Sequence, residues 1–215
     1  EFVEAFTADD STDFHGMVSE LVGLPRKQAK TISLALMYGM GANKLAAQLD
    51  ISVDDAKDLT KQYHNKVPFV RELMQGVSRH LESPRSGGSI RSLKGRKCRF
   101  DLWEPASFGM HKAMKRDEAI AAHGETTRLK RAFLFRAGNR LIQASAADMT
   151  KQAMVDCAKA GHLPMLQVHD ELAFSVTDAA EAKQLARRME QAVPLVIPSK
   201  CDIELGPTWG DAVEI

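Results

Sequence analysis

The chain has 215 residues, 44% hydrophobic and 27% charged, with a formal net charge of +1. That length suffices for one large domain or two small ones with a real core, and the composition is that of an ordinary soluble globular protein. No apolar stretch approaches the roughly 20 residues that span a bilayer, and no signal-peptide pattern opens the chain.

In chain order, "STDFHGMVSELVG" begins with good N-cap types and carries Phe14, Met17, Val18, Leu21 and Val22 at helical spacing. Pro25 suits the first turn of a second helix through "RKQAKTISLALMYG". Ser52 with Asp55 forms a capping box for a helix to about Tyr63, and Pro68 opens another ending near Leu81. "SPRSGGS" is turn chemistry, and "SIRSLKGRKCRF" alternates like a hairpin around Lys94-Gly95. Residues 101–125 have weak periodicity and read as an insertion or a mobile loop.

A long helix is predicted over roughly 126–160, stopped by Gly161. Two short strands, "LPMLQV" and "LAFSV", are joined tightly at His169-Asp170-Glu171. Thr177 caps a helix to about Val193, and "KCDIEL" offers a last strand. The expected class is α+β, mostly helical, with a small antiparallel sheet near the C-terminus.

Charge is unevenly spread. Residues 85–99 hold six Lys or Arg, Arg96 among them, and residues 128–140 hold five, with no acid in either run. Each run is either a solvated face or a surface that neutralises phosphates. Cys98, Cys157 and Cys201 lie far apart without a CxxC pair, which argues against a disulfide framework or structural zinc and fits a reducing cytoplasm. The chain opens Glu1-Phe2-Val3, so we expect a piece of something longer or a processed product.

Three constellations carry chemistry. Arg26, Lys30, Leu34 and Tyr38 recur every four residues, drifting about 40° per step, and so form one helical stripe about 18 Å long. Two cations near a helix N-terminus suit a polyphosphate, and Tyr38-Gly39 offers a ring and a close-approach position for a nucleobase. Spacing alone equally allows an amphipathic helix with a basic flank and a buried tyrosine. Arg136, Asn139 and Gln143 share a face of the long helix and suit nucleic-acid contacts or plain solvation. Asp170 and Glu171 at a strand junction suit Mg²⁺, a hard cation that takes oxygen ligands, or an exposed turn.

Taken in order, these motifs resemble the C-terminal part of a family A DNA polymerase, the bacterial polymerase I type, in a phage- or organelle-like branch. "RKQAKTISLALMYG" is similar to the family's fingers motif R-x3-K-x7-YG, "QVHDE" to palm motif C, "NRLIQASAAD" to the stretch between them, and "GPTWGDA" to the family's ending. The resemblance implies fingers over residues 1–125 and the C-terminal part of the palm over 126–215. It implies that His15, Arg26 and Lys30 hold the incoming dNTP, that Tyr38 sits at the nascent base pair, and that Gly39 lets the template approach. Asp170, supported by Glu171, would ligate two Mg²⁺, and His169 would contact the primer terminus.

Asn139 and Gln143 match primer-template contacts, and Arg96 and Arg136 are expected at DNA. The family's usual arginine aligns one residue before Arg136, at Phe135. Leu34 is a second departure, at a position where the family carries Phe or Tyr and the ring helps distinguish sugars.

The second carboxylate source, motif A (D-[YF]-S-x2-E), does not occur in the chain; Asp9, Asp10 and Asp13 lack that signature. Motif A, the thumb and any exonuclease are therefore expected from another segment or a second polypeptide, and this chain alone is expected to be inactive. A single-subunit RNA polymerase fragment is disfavoured because Glu171 stands where such enzymes carry Ser. A non-catalytic nucleic-acid-binding module is the other alternative. A metal hydrolase built on His169, Asp170 and Glu171 would leave the 26–38 stripe unexplained.

Overall fold

A computed structural model describes residues 2–8 and 12–215, so Asp9 and Asp10 lie outside the described residues. The first helix, α1, is Phe2–Ala8. Asp13 then takes the cap of α2 (Phe14–Val22), its carboxylate accepting the N–H of His15 at 3.1 Å and of Gly16 at 3.0 Å. Pro25 stands just before α3 (Arg26–Met37), where its missing N–H is harmless.

Two short helices follow, α4 (Ala42–Leu49) and α5 (Val53–Lys66). Ser52 caps α5 by accepting the N–H of Asp55 at 3.0 Å, as its sequence predicts. Pro68 begins α6 (Pro68–Glu82). Val18, Ile32, Leu45, Tyr63, Val67 and Val70, contributed by α2 to α6 and the α5–α6 junction, are fully or almost fully buried. A second cluster joins Val77 and Leu81 of α6 to Ile90 and Ala137, with Phe100, Leu134 and Leu141 packed against it.

The basic hairpin forms where expected: β1 (Ser89–Arg91) pairs antiparallel with β2 (Lys97–Arg99). The next segment departs from expectation. Residues 102–131 are ordered as β3 (Leu102–Pro105), β4 (Met114–Lys115), α7 (Arg116–His123) and β5 (Leu129–Arg131), in a sheet of order β4-β3-β5. The pairing of Trp103 with Arg131 is non-local, so no sequence period reports it.

Arg131 locks this sheet to its surroundings. It donates to the carbonyls of Leu81 (3.2 Å) and Phe100 (2.8 Å), and its guanidinium lies 4.5 Å from the Trp103 ring centroid. Those bonds and the positive φ of Phe133 (62°) displace the long helix predicted from 126. It starts eleven residues later, as α8 (Ala137–Lys159).

Beyond α8 lie β6 (Leu166–Val168), β7 (Glu171–Ala173), α9 (Ala179–Gln191), β8 (Glu204–Leu205) and β9 (Val213–Glu214). The strands pair as two hairpins, β6-β7 and β8-β9. Asp178, not Thr177, caps α9, accepting the N–H of Glu181 at 2.8 Å, while Thr177 donates both its N–H and its hydroxyl to the Glu181 carboxylate. Among the described residues no helix is long and apolar enough to cross a membrane. The result is the expected α+β class, mostly helical with small antiparallel sheets.

The chain divides into two compact units, one of residues 13–143 and one of residues 1–12 with 144–215. The expected division at 125–126 lies inside the first unit, because β5 pairs back onto β3.

Candidate functional site

In the first unit, α3 buries Ala29, Ile32, Ser33, Ala35 and Leu36. Its opposite face carries Arg26, Lys30, Leu34 and Tyr38, all exposed, as the four-residue spacing predicts. The tyrosine is half exposed at 51%, so the alternative of a basic helix with a buried tyrosine does not hold.

His15, on α2, belongs to the same cluster. Burial pulls its pKa below the ordinary imidazole value; the Asp13 carboxylate opposes that shift, and the charges of Lys30 and Arg26 reinforce it. Its Nδ1 is buried and has no hydrogen-bond partner. His15 thus lies beside two cations at the amino end of a twelve-residue helix, where the backbone dipole is also positive. Such an arrangement of charge can accept an anion.

Asp13 is a participant that sequence reasoning did not assign. Its Oδ2 accepts the Nε–H of Arg26 at 2.5 Å. That contact, with the capping bonds from His15 and Gly16, holds the carboxyl below the usual carboxylate range. The available signal was its position as the N-cap, two residues before His15.

At the far end of the stripe, Gln143 Nε2 donates to the Tyr38 hydroxyl at 2.8 Å. The tyrosine is thereby tied to α8 across 105 residues of sequence. Gly39 has φ +70°, and a Cβ there would lie 3.2 Å from the Phe135 carbonyl oxygen. Both the backbone sign and this close approach favour glycine. Leu34 stands exposed between the cationic and aromatic ends.

Arg136 is exposed and lies over the rings of Phe133 (5.0 Å) and Phe135 (5.2 Å), and Asn139 is half-buried one turn later on α8. Arg96 is exposed in the turn of the basic hairpin, beside exposed Arg91, Lys94, Lys97 and Arg99.

In the second unit, Val168 pairs with Glu171, so the turn itself is only His169-Asp170. His169 adopts φ 56°, which a two-residue hairpin loop demands at its first position. His169, Asp170 and Glu171 are all exposed. Glu171 begins β7 instead of sharing the turn, and its Oε1 accepts the indole N–H of Trp209 at 2.9 Å.

Trp209 is delivered by the β8-β9 hairpin, whose loop is tight: a Cβ on Gly206 would lie 2.6 Å from the Asp211 carbonyl. Spacing did not identify Trp209, because the contact spans 38 residues. The turn offers hard oxygen donors of the kind Mg²⁺ takes. Among the described residues no three His, Cys, Asp or Glu side chains cluster to hold a metal.

The family model described as DNA polymerase family A matches residues 1–211. A DNA-directed DNA polymerase of Pseudomonas phage M6 is 31% identical over 245 aligned positions, covering 98% of this chain and 33% of its own length. DNA polymerase I of Mycobacterium leprae is 30% identical over 228 positions, covering 98% of this chain and 22% of its own. A solved structure, the POL domain of Pol1 from M. smegmatis in complex with DNA primer-template and dNTP, superposes with a TM-score of 0.68 at 31% identity, covering 91% of this chain and 34% of that one.

The chain thus spans about a third of the phage relative and about a fifth of the bacterial one. By the family model and these relatives, the chain belongs to DNA polymerase family A.

Proposed function

We propose that this chain supplies the dNTP clamp and one carboxylate face of a template-directed DNA polymerase, which extends a primer 3′ end by nucleotidyl transfer. The observation that carries the reading is the gathering of His15, Arg26 and Lys30 at the exposed amino end of α3. Arg26 and Lys30 bind the triphosphate, and His15 contributes its buried, unpartnered Nδ1 edge. Tyr38, held by Gln143, and Gly39 place the nascent base pair at the other end of the stripe. His169 meets the primer terminus, and Asn139, Arg136 and Arg96 contact the primer-template, the kind of ligand named for the M. smegmatis structure.

In the reaction, the primer 3′-oxygen attacks the α-phosphorus in line and pyrophosphate leaves. Asp170 and Glu171 would hold Mg²⁺, and two such ions, when bound, neutralise charge on the entering and leaving oxygens. Trp209 fixes the Glu171 carboxylate while Asp170 stays exposed at the turn. We place the fingers in the unit of residues 13–143 and the C-terminal part of the palm in the unit carrying 144–215. The motif A aspartate and the thumb come from another segment or a second polypeptide. The three free thiols suit a reducing compartment such as a phage host's cytoplasm.

Primer extension tests this. The chain alone, with Mg²⁺ and dNTPs, gives no synthesis, and adding a polypeptide that carries D-[YF]-S-x2-E restores synthesis that depends on Asp170. Robust synthesis by the chain alone, abolished by Asp170→Ala, overturns the need for a partner. DNA binding without synthesis, even beside such a partner, overturns the catalytic reading.

A further inference from the structure

We propose that the Asp13 carboxylate is a charge filter on the nucleotide clamp. It opposes each anion in proportion to its charge, and so favours metal-complexed triphosphate over bare triphosphate. This role rests on the clamp reading above and decides which form of the nucleotide is held. The fold does not require a charged residue at this position. Asp13 caps α2 by accepting the N–H groups of His15 and Gly16, and Ser, Thr or Asn would do that as well. What Asp adds is a negative charge, and its Oδ2 brings that charge to the Arg26 Nε at 2.5 Å.

The carboxylate stands among cations. The charged groups that act on His15 are Asp13, Lys30 and Arg26, so Asp13 is the one acid among them. Helix α3 carries Arg26, Lys27 and Lys30 and no acidic residue, and Glu20, the acid within α2, lies in that helix's last turn. The Arg26 hydrogen bond holds the Asp13 carboxyl below the usual carboxylate range, so it is ionised at neutral pH. Side-chain exposure is 63% for Arg26 and 37% for Asp13, so the pair stands in solvent and as an ion pair adds little to stability.

An acid inside an anion clamp acts against the ligand. A phosphate on the guanidinium that Asp13 holds lies within a Debye length of the carboxylate, about 8 Å at physiological salt, so their repulsion is only partly screened. That repulsion scales with the charge of the ligand, whereas the alignment of Arg26 helps every phosphate ligand alike. Bare triphosphate carries roughly twice the charge of its complex with one Mg²⁺ and is opposed correspondingly more. The clamp thereby admits preferentially the metal-bound form that phosphoryl transfer consumes.

The test is an NMR titration of the 215-residue chain, followed at His15 and at the Arg26 Nε–H. The ligands are metal-free dTMP, metal-free dTTP, and dTTP with Mg²⁺, at about 0.1 M salt. Asp13→Asn should raise the affinity for metal-free dTTP, relative to that for dTMP and to that for the Mg²⁺ complex, by about 2- to 3-fold in each ratio. Asp13→Ser, a second uncharged cap, should give the same ratios. Loss of Arg26 alignment multiplies all three affinities by one factor, so the ratios isolate the charge. In about 1 M salt, where the Debye length is about 3 Å, the differences should vanish. Both variants keep a capping side chain, and circular dichroism verifies that they fold.

One common factor for all three ligands overturns the filter and leaves the clamp standing, with Asp13 acting only through the cap and the alignment of Arg26. A larger gain for dTMP or for the Mg²⁺ complex has the wrong sign and also overturns it. If dTTP shifts neither His15 nor Arg26 in wild type or variant, the clamp reading falls and the filter falls with it.

Discussion

Asp13 and Arg26 form an ion pair at 2.5 Å in which one carboxylate both caps α2 and engages the first residue of α3. The contact uses the Nε of Arg26, whose side chain is otherwise largely exposed. In the proposed clamp this pair orients the first cation. Asp13→Asn keeps a good cap and removes the charge, whereas Asp13→Ala removes both, so the alanine variant should be less stable than the asparagine variant by about 1 kcal/mol in urea unfolding.

The two variants also differ from wild type in acid. Chiefly because of the Arg26 hydrogen bond, the Asp13 carboxyl titrates below its unfolded value of about 3.9. Its stabilising contribution is thus present above that pH and is lost as pH falls through the lower folded value. That part of the acid transition should vanish in Asp13→Asn.

His15 contributes in the same direction for a different reason, since its partial burial disfavours the charged imidazole. Burial, with Lys30 and Arg26 nearby, depresses its pKa against the pull of Asp13. Between the depressed folded value and the unfolded value of about 6.5, the unfolded chain binds more protons, so stability rises with pH across that window and is lost as pH falls through it. His64, depressed by burial and by Arg71, acts in the same sense. Urea midpoints measured from pH 7.5 down to 5 should fall in wild type and fall less in His15→Gln. A slope unchanged by that substitution would show that His15 titrates alike in both states. A triphosphate docked beside His15 should raise its pKa, a shift readable by NMR titration.

How much of this was legible beforehand depends on the reach of each interaction. The stripe Arg26, Lys30, Leu34 and Tyr38 was readable because helical periodicity is local, and the structure exposes all four. The hairpin at His169-Asp170 was readable because a charged pair interrupted two apolar runs. The sheet β4-β3-β5 was not readable: strands of two to four residues carry no usable period, and Trp103 meets Arg131 only after the 27 intervening positions fold back. The same failure misplaced the start of α8, because residues with helical propensity at 129–131 are claimed by strand pairing. Pairwise contacts such as Trp209 with Glu171 leave no spacing signature.

The Trp209–Glu171 bond is also the most direct handle on the carboxylate turn. The indole N–H donates to a carboxylate at 2.9 Å, so its proton resonance should lie downfield and exchange slowly for an exposed indole. Glu171→Gln retains an acceptor oxygen and should shift that resonance modestly, while Glu171→Ala should move it toward the position of a free indole. Gly206→Ala should do the same without touching Glu171, because its Cβ would collide with the backbone that carries Trp209 to the turn. If the indole signal is indifferent to Glu171→Ala, Trp209 does not position the carboxylate.

Arg131 should matter more to stability than any residue of the candidate site. Its guanidinium joins three elements: the end of α6 through the Leu81 carbonyl, the end of β2 through the Phe100 carbonyl, and β3 through the Trp103 ring. Two charge-assisted hydrogen bonds and a cation–π contact, partly screened by solvent, are together worth about 2–4 kcal/mol. Arg131→Ala should lower the urea midpoint by a corresponding amount, with the dependence on denaturant unchanged if the rest of the unit stays folded. Lysine cannot reproduce the planar fork, so Arg131→Lys should recover less than half of the loss. Because the 102–131 sheet rests on this residue, the alanine variant should also become more sensitive to limited proteolysis between residues 101 and 131. A loss below about 0.5 kcal/mol, within the usual range for an exposed surface substitution, would mean that the sheet is held by its strand pairing and not by this arginine.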